Sequence, residues 1–138
     1  MDTRQFGNFG EKIAEKYLKD KGYEILDKNY SFRISGNPQK GEIDIVAKKS
    51  DIISFVEVKL LRNPAMLISP EEKVDFWKQR KLVKTAESWL MKKKIPLNSK
   101  WQIDVIGIKI LEEKPSFAEA TEGKKVEISH FENAISYH

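Results

Sequence analysis

The sequence predicts an α/β fold, a mixed β-sheet flanked by helices in the order α-β-β-β-α-β, with an extra short strand toward the C-terminus. Three observations predict it. Apolar residues recur at helical spacing in two separated segments, residues 3–21 and 70–93. Between them, "GEIDIVAKKSDIISFVEVK" (residues 41–59) reads as two branched, apolar runs joined by a polar turn. After the second helix, "WQIDVIGIKIL" (residues 101–111) alternates as a further strand. A chain of 138 residues with 40% apolar content suits one domain over residues 1–138 with a genuine core.

Each element has its own signals. The first helix rests on Phe6, Ile13, Ala14, Tyr17 and Leu18, and Gly22 is a natural stop. "YEILDKNYSFRI" (23–34) is rich in aromatic and branched residues and ends at the turn formers "SGNPQKG". Within the hairpin, "KKSD" is the expected turn. "LLRNPAMLI" then runs without clear periodicity to Ser69, Pro70 and Glu72, which supply an N-cap, a first-turn proline and a capping-box glutamate. Phe76, Val83, Ala86 and Leu90 form the apolar line of the second helix, with Leu82 and Trp89 beside it. Lys78, Lys81, Lys84, Lys92, Lys93 and Lys94 lie mostly off that line. "EEKPSFAEATEG" is a polar connection, and "KKVEISHF" (124–131) makes the last short strand.

Composition narrows the function classes. A net charge of +4 is compatible with a polyanionic partner and equally with a solvated basic surface. Cysteine is absent, which removes disulfides and thiolate metal sites and suits a reducing compartment. No signal-peptide run and no membrane-length apolar stretch occur, so the expected location is cytoplasmic, without membrane attachment.

The hairpin carries the chemical signal. It places Glu42, Asp44, Glu57 and Lys59 among isoleucines and valines. A half-exposed sheet would show polar residues along the whole of one face, yet both faces are apolar near the turn and the charges gather at the far ends. Strict alternation sets Glu42, Asp44 and Val46 on one face of the outgoing strand, opposite Ile43, Ile45 and Ala47. One pairing register puts Glu42 opposite Glu57 with Asp44 diagonal, and another puts Asp44 opposite Glu57. Either brings Asp44 and Glu57 within about 5 to 8 Å. A register whose partner numbers sum to an even value, one residue out of step with these, would separate them across the sheet. Two carboxylates about 5 Å apart repel by about 3 kcal/mol at an effective dielectric near 20. Lys59 offers one compensating charge on the same face as Glu57. A divalent cation with oxygen ligands, Mg2+ or Mn2+, would compensate more fully, bind phosphate oxygens and activate a water.

Two helical residues extend this set. Glu11 aligns with Ala14 and Leu18 on the face that should rest on the sheet, where the bland alternative is a first-turn glutamate at the rim. Gln79 continues the line of Val83, Ala86 and Leu90, and is either a boundary glutamine or a hydrogen-bond partner for a phosphate or water. Rival chemistries find little support. There is no Gly-rich phosphate loop, and His130 and His138 lack ligand-spaced companions, which points to packing or surface roles. Trp77, Trp89 and Trp101 could stack bases, though packing is the commoner use.

Taken together, "GNFGEKIAEKYLKDKGYEILDKNY", "GEIDIVAKKSDIISFVEVKLLRN", "SPEEKVDFWKQRKLVKTAESWL" and "WQIDVIGIKI" resemble the PD-(D/E)xK nuclease superfamily. More closely, the chain resembles the YraN-like family of small, uncharacterised bacterial proteins, which are similar to archaeal Holliday junction resolvases. The match covers most of residues 7–110 and leaves 112–138 as a C-terminal extension without an assigned role. The resemblance implies a restriction-endonuclease-like core and a metal-dependent endonuclease acting on DNA, branched or damaged DNA included. It implies Asp44 and Glu57 as metal ligands with the Val58 carbonyl, Lys59 as the catalytic lysine, and Glu11 as the acidic residue of the first helix. Glu42 and Gln79 take supporting roles. Leu60 and Leu61 stand where the family has a small polar residue and an arginine, and Arg62 takes the arginine's place one residue late. A homodimer would suit a four-way junction. The alternative is a non-catalytic nucleic-acid-binding or scaffold protein that keeps the nuclease fold.

Overall fold

The computed structural model describes residues 3–33, 35–36, 40–61, 76–111 and 125–135. Helix α1 spans Thr3–Asp20 and ends in a Schellman motif. Gly22 takes φ 93°, Tyr23 N donates to Leu18 O and Gly22 N donates to Lys19 O, so the last carbonyls are satisfied as the chain turns into the sheet. Strands β1 (Glu24–Arg33), β2 (Lys40–Lys49) and β3 (Ile52–Leu61) follow, then α2 (Phe76–Lys92), β4 (Trp101–Leu111) and β5 (Lys125–Phe131). The expected start of α2 at Ser69, Pro70 and Glu72 lies outside the described residues, as do Arg62 and residues 112–124.

The five strands form one mixed sheet in sequence order. β1–β2, β2–β3 and β4–β5 are antiparallel hairpin-type neighbours, whereas β3–β4 is parallel because the chain crosses over through α2. Lys49 pairs with Ile52, so the β2–β3 turn is Ser50 and Asp51 alone, tighter than the four-residue "KKSD" turn expected from sequence. Ser50 accommodates it at φ 57°.

Each face of the sheet buries one helix. Against α2, Leu82, Val83, Ala86, Trp89 and Leu90 pack on Ile43, Val46, Phe55 and Ile103. Against α1, Ala14 and Leu18 pack on Ile45, Ala47, Val56, Ile106 and Ile108. Leu82 and Trp89, read from sequence as flanking the apolar line, are therefore core residues. Trp89 stacks edge-on to Phe55 and donates its indole N–H to Asp27 Oδ2 at 3.0 Å, which fixes α2 over β1. Gly41 lies buried under α2 with no room for a Cβ beside the Thr85 hydroxyl, so this glycine sets the close approach of helix and strand.

Candidate functional site

The site starts where β2 and β3 part. The ladder pairs Val46 with Phe55 and Ile45 with Val56, the register that carries Asp44 toward Glu57. Past Ile45 a side chain replaces the ladder: Asp44 Oδ2 accepts the Val58 N–H at 2.7 Å. Strict alternation also fails here. Ile43 belongs with Val46 to the α2-side core, and Ile45 with Ala47 to the α1-side core, so Asp44 occupies the point where the strand changes faces. A residue's N–H and C=O point to the same edge of an extended strand. The Val58 carbonyl therefore opens toward the same gap as Asp44.

On the α2 side, Glu57 Oε1 lies 3.2 Å from Lys59 Nζ and 3.3 Å from Lys78 Nζ. One carboxylate oxygen thus holds two ammonium groups, one from its own strand and one from α2. Burial, then the neighbouring Lys78, hold Lys59 below its ordinary value against the pull of Glu57. Burial pulls Lys78 down too, but its contact with Lys59 and the charge of Glu57 outweigh this and the net direction is upward.

Asp44 is pushed up to about 7, first by burial and next by the charge of Glu57, against the lowering influence of the Val58 amide. On the α1 side it lines a cleft of about 170 Å³ with Glu11, Asn8, Lys12, Lys28 and Asn29 among its walls. Glu11 is half-buried beside Asp44; burial is the main reason its carboxyl is raised, and the nearby Asp44 side chain acts against that rise. With its amide nitrogen facing the helix, Asn29 donates to both Glu11 oxygens at 3.1 and 3.2 Å. Asn29 has φ 54°, a left-handed conformation that asparagine tolerates better than most residues.

Of the residues expected from sequence, the fold brings Glu11, Asp44, Glu57, Val58 and Lys59 together at one sheet end. Gln79 is half-buried in the first described turn of α2, one residue after Lys78. Glu42 is exposed and paired with Lys40 at 3.4 Å, and reaches the site only as a charge that raises Glu11. Arg62 lies outside the described residues. Two participants were missed. From sequence, Lys78 is one of the second-helix lysines off the apolar line, which could track phosphates or form a solvated face, and Asn29 is part of a strand. No spacing rule links either to the hairpin.

The donor set fits a hard divalent cation in kind: carboxylates from two strands, an adjacent carbonyl, and a site where burial first and the charge of Glu57 next push Asp44 up to about 7. Glu11, Asp44 and Glu57 do not converge as a trio. Among the described residues, three ligand atoms of His, Asp or Glu lie within 4.8 Å of one another at Asp104, His130 and Glu132. The fold thus gives His130 carboxylate neighbours, where sequence spacing offers it no ligand-spaced companion. His130 Nε2 lies 2.8 Å from Asp104 Oδ2, and Asp104 Oδ1 accepts from Gln102 Nε2 and Asn133 N at 2.9 Å each. Tyr17 Oη meets His130 Nδ1 at 3.3 Å, so the pair latches β4 and β5 to α1. The tryptophans divide: Trp89 is core, Trp101 half-buried and Trp77 exposed.

The model of Uncharacterised protein family UPF0102 matches residues 10–108. A UPF0102 protein of Clostridium tetani is 50% identical over 93 residues, 67% of this chain and 70% of its own. Another, from Alkaliphilus oremlandii, is 37% identical over 135 residues, 96% of this chain and 99% of its own. The crystal structure of a protein of unknown function, AF1548, is similar at a TM-score of 0.36 and 21% identity, over 82% of this chain and 53% of that one. This chain thus spans about half of the length of that structure.

Proposed function

This chain belongs to the uncharacterised protein family UPF0102, and we propose that it is a metal-dependent endonuclease-like protein that hydrolyses phosphodiesters of DNA, branched or damaged DNA included. The observation that carries this reading is the parting of β2 and β3 around Asp44, with Glu57 and Lys59 beside it. An interior that holds like charges this close needs a function for them, since an apolar pair would be cheaper there.

In this reading Asp44 and Glu57 would hold Mg2+ or Mn2+, with the Val58 carbonyl as a further ligand. A divalent cation there supplies a water of lowered pKa and neutralises phosphate oxygens. Lys59, 3.2 Å from Glu57, stands where it can orient the attacking water and offset charge developing on the phosphate. Its lowered proton affinity also suits it to take a proton. Glu11, itself held by Asn29, orients Asp44 from the helix side. Gln79, Arg62 and Glu42 are assigned supporting contacts to substrate. A two-fold pair of chains would match the symmetry of a four-way junction.

One feature favours a second reading, a non-catalytic DNA-binding or scaffold protein. Two lysines already neutralise Glu57, and Asp44 can hold a proton near neutral pH, so the site is electrostatically tolerable without a cation. Cleavage of linear, nicked, flapped and four-way DNAs with Mg2+ or Mn2+ separates the two. The nuclease reading expects cleavage that chelator abolishes and that Lys59→Ala reduces by about 100-fold or more. Full metal-dependent cleavage by Lys59→Ala contradicts it. DNA binding without turnover, retained in Asp44→Ala and without magnesium, establishes the scaffold reading.

A further inference from the structure

We propose that Lys78 is a second lysine of the site: it occupies Glu57 while no cation is bound, yields that oxygen when a divalent cation arrives, and then contacts a non-bridging oxygen of the scissile phosphodiester. The inference rests on the nuclease reading of the site and assigns a substrate contact to a residue outside its acidic-lysine motif.

Lys59 and Lys78 share a single oxygen, Glu57 Oε1, at 3.2 and 3.3 Å. Two ammonium groups on one oxygen repel each other, and the arrangement persists because Glu57 attracts both and the charge of Asp44 adds to the pull on Lys78. The two lysines are not equivalent. Lys59 is rooted in β3 two residues from Glu57, whereas Lys78 reaches across from the first described turn of α2 on a flexible four-carbon stem. Lys78 is also the more exposed of the pair, at 37% against 24% of its side chain.

Charge balance gives the direction of exchange. With Asp44 ionised, as a bound cation requires, Asp44 and Glu57 are matched by Lys59 and Lys78, so these four groups, Glu11 aside, are neutral together. A divalent cation on the two carboxylates leaves a surplus of two positive charges, and Lys78 loses its reason to stay on Glu57. A phosphodiester carries one of the missing negative charges. Lys78 needs only side-chain rotation to follow it, because α2 is fixed to the sheet by Trp89 and the Leu82–Leu90 face.

The test compares wild type with Lys78→Met, which keeps the stem and removes the charge, and Lys78→Arg, which keeps the charge. Calorimetric titration with Mn2+ should show Lys78→Met binding the cation about 2- to 5-fold more tightly, the effect of removing one partly screened ion pair from the ligand. Its affinity for a flapped or four-way DNA in Mn2+ should fall, and the salt slope of log K should lose about 0.9, the value of one phosphate contact. Lys78→Arg should keep the wild-type slope. Weaker cation binding by Lys78→Met, or an unchanged salt slope, in a variant that melts like wild type identifies a structural tie between α2 and β3 and overturns the inference. If wild type takes up no cation, the nuclease reading falls and this inference with it. If wild type binds the cation and Lys78→Met behaves as wild type, this inference alone falls.

Discussion

At Asp44, burial and the neighbouring Glu57 push the carboxyl up to about 7, while the Val58 amide and Lys59 pull it down. The sign of its effect on stability follows. Between about pH 4 and pH 7 the folded chain keeps a proton that the unfolded chain has released, so stability contributed by the protonated group is complete below the unfolded value of 3.8 and is lost as pH rises through about 7. Asp44→Asn, which keeps an oxygen for the Val58 amide and a donor for Glu11, should flatten that slope. Urea denaturation of the metal-free protein should find this variant more stable than wild type at pH 8 by on the order of 2 kcal/mol, with the difference shrinking toward pH 4. An identical pH profile in the two proteins would show that Asp44 carries no such penalty. The charged set itself was legible, because acids and a lysine in an apolar hairpin stand out by type and position. Lys78 was not, since a lysine on a lysine-rich helix looks the same whether it faces water or reaches back to Glu57.

Among the elements, the order of helices and strands and the apolar faces of both helices follow from periodicity, and the structure keeps them. The change of faces at Asp44 was hidden, because "EIDIV" alternates perfectly on paper and only the packing of Ile43 beside Val46 reveals the shift. The two-residue turn was hidden by the same ambiguity, with lysines that serve equally as strand ends or turn residues. The latch between β4 and β5 has a trace in the sequence: Asp104 is an acid inside "WQIDVIGIKIL", and a fully buried carboxyl group demands partners. His130 is that partner, brought by β5 from 26 residues away. His130→Ala removes a hydrogen-bond partner of the buried Asp104, and should cost about 1–3 kcal/mol in chemical denaturation while leaving cation binding at Asp44 and Glu57 unchanged. A loss below about 0.5 kcal/mol would show that Gln102 and Asn133 satisfy Asp104 without it.

At the scale of the whole fold, the two helices among the described residues cover opposite faces of one sheet, bury its centre and leave the acidic gap at the end where β2 and β3 part. No helix among the described residues is long and apolar enough to cross a membrane. The family was legible because its motifs combine across most of the chain, from the first helix to the fourth strand, and the UPF0102 match over residues 10–108 covers the same span. Substrate was not legible: for the proposed DNA partner, recognition of the backbone by charge and shape would leave no base-specific pattern in the residues. The central claim is that Asp44 and Glu57 form a divalent-cation site, and calorimetric titration of Mg2+ and Mn2+ into wild type and the Asp44→Ala, Glu57→Ala double variant tests it most directly. Saturable binding in wild type that disappears in a folded double variant is the predicted result. No binding by wild type, with or without DNA, or the same binding in both proteins, would contradict it.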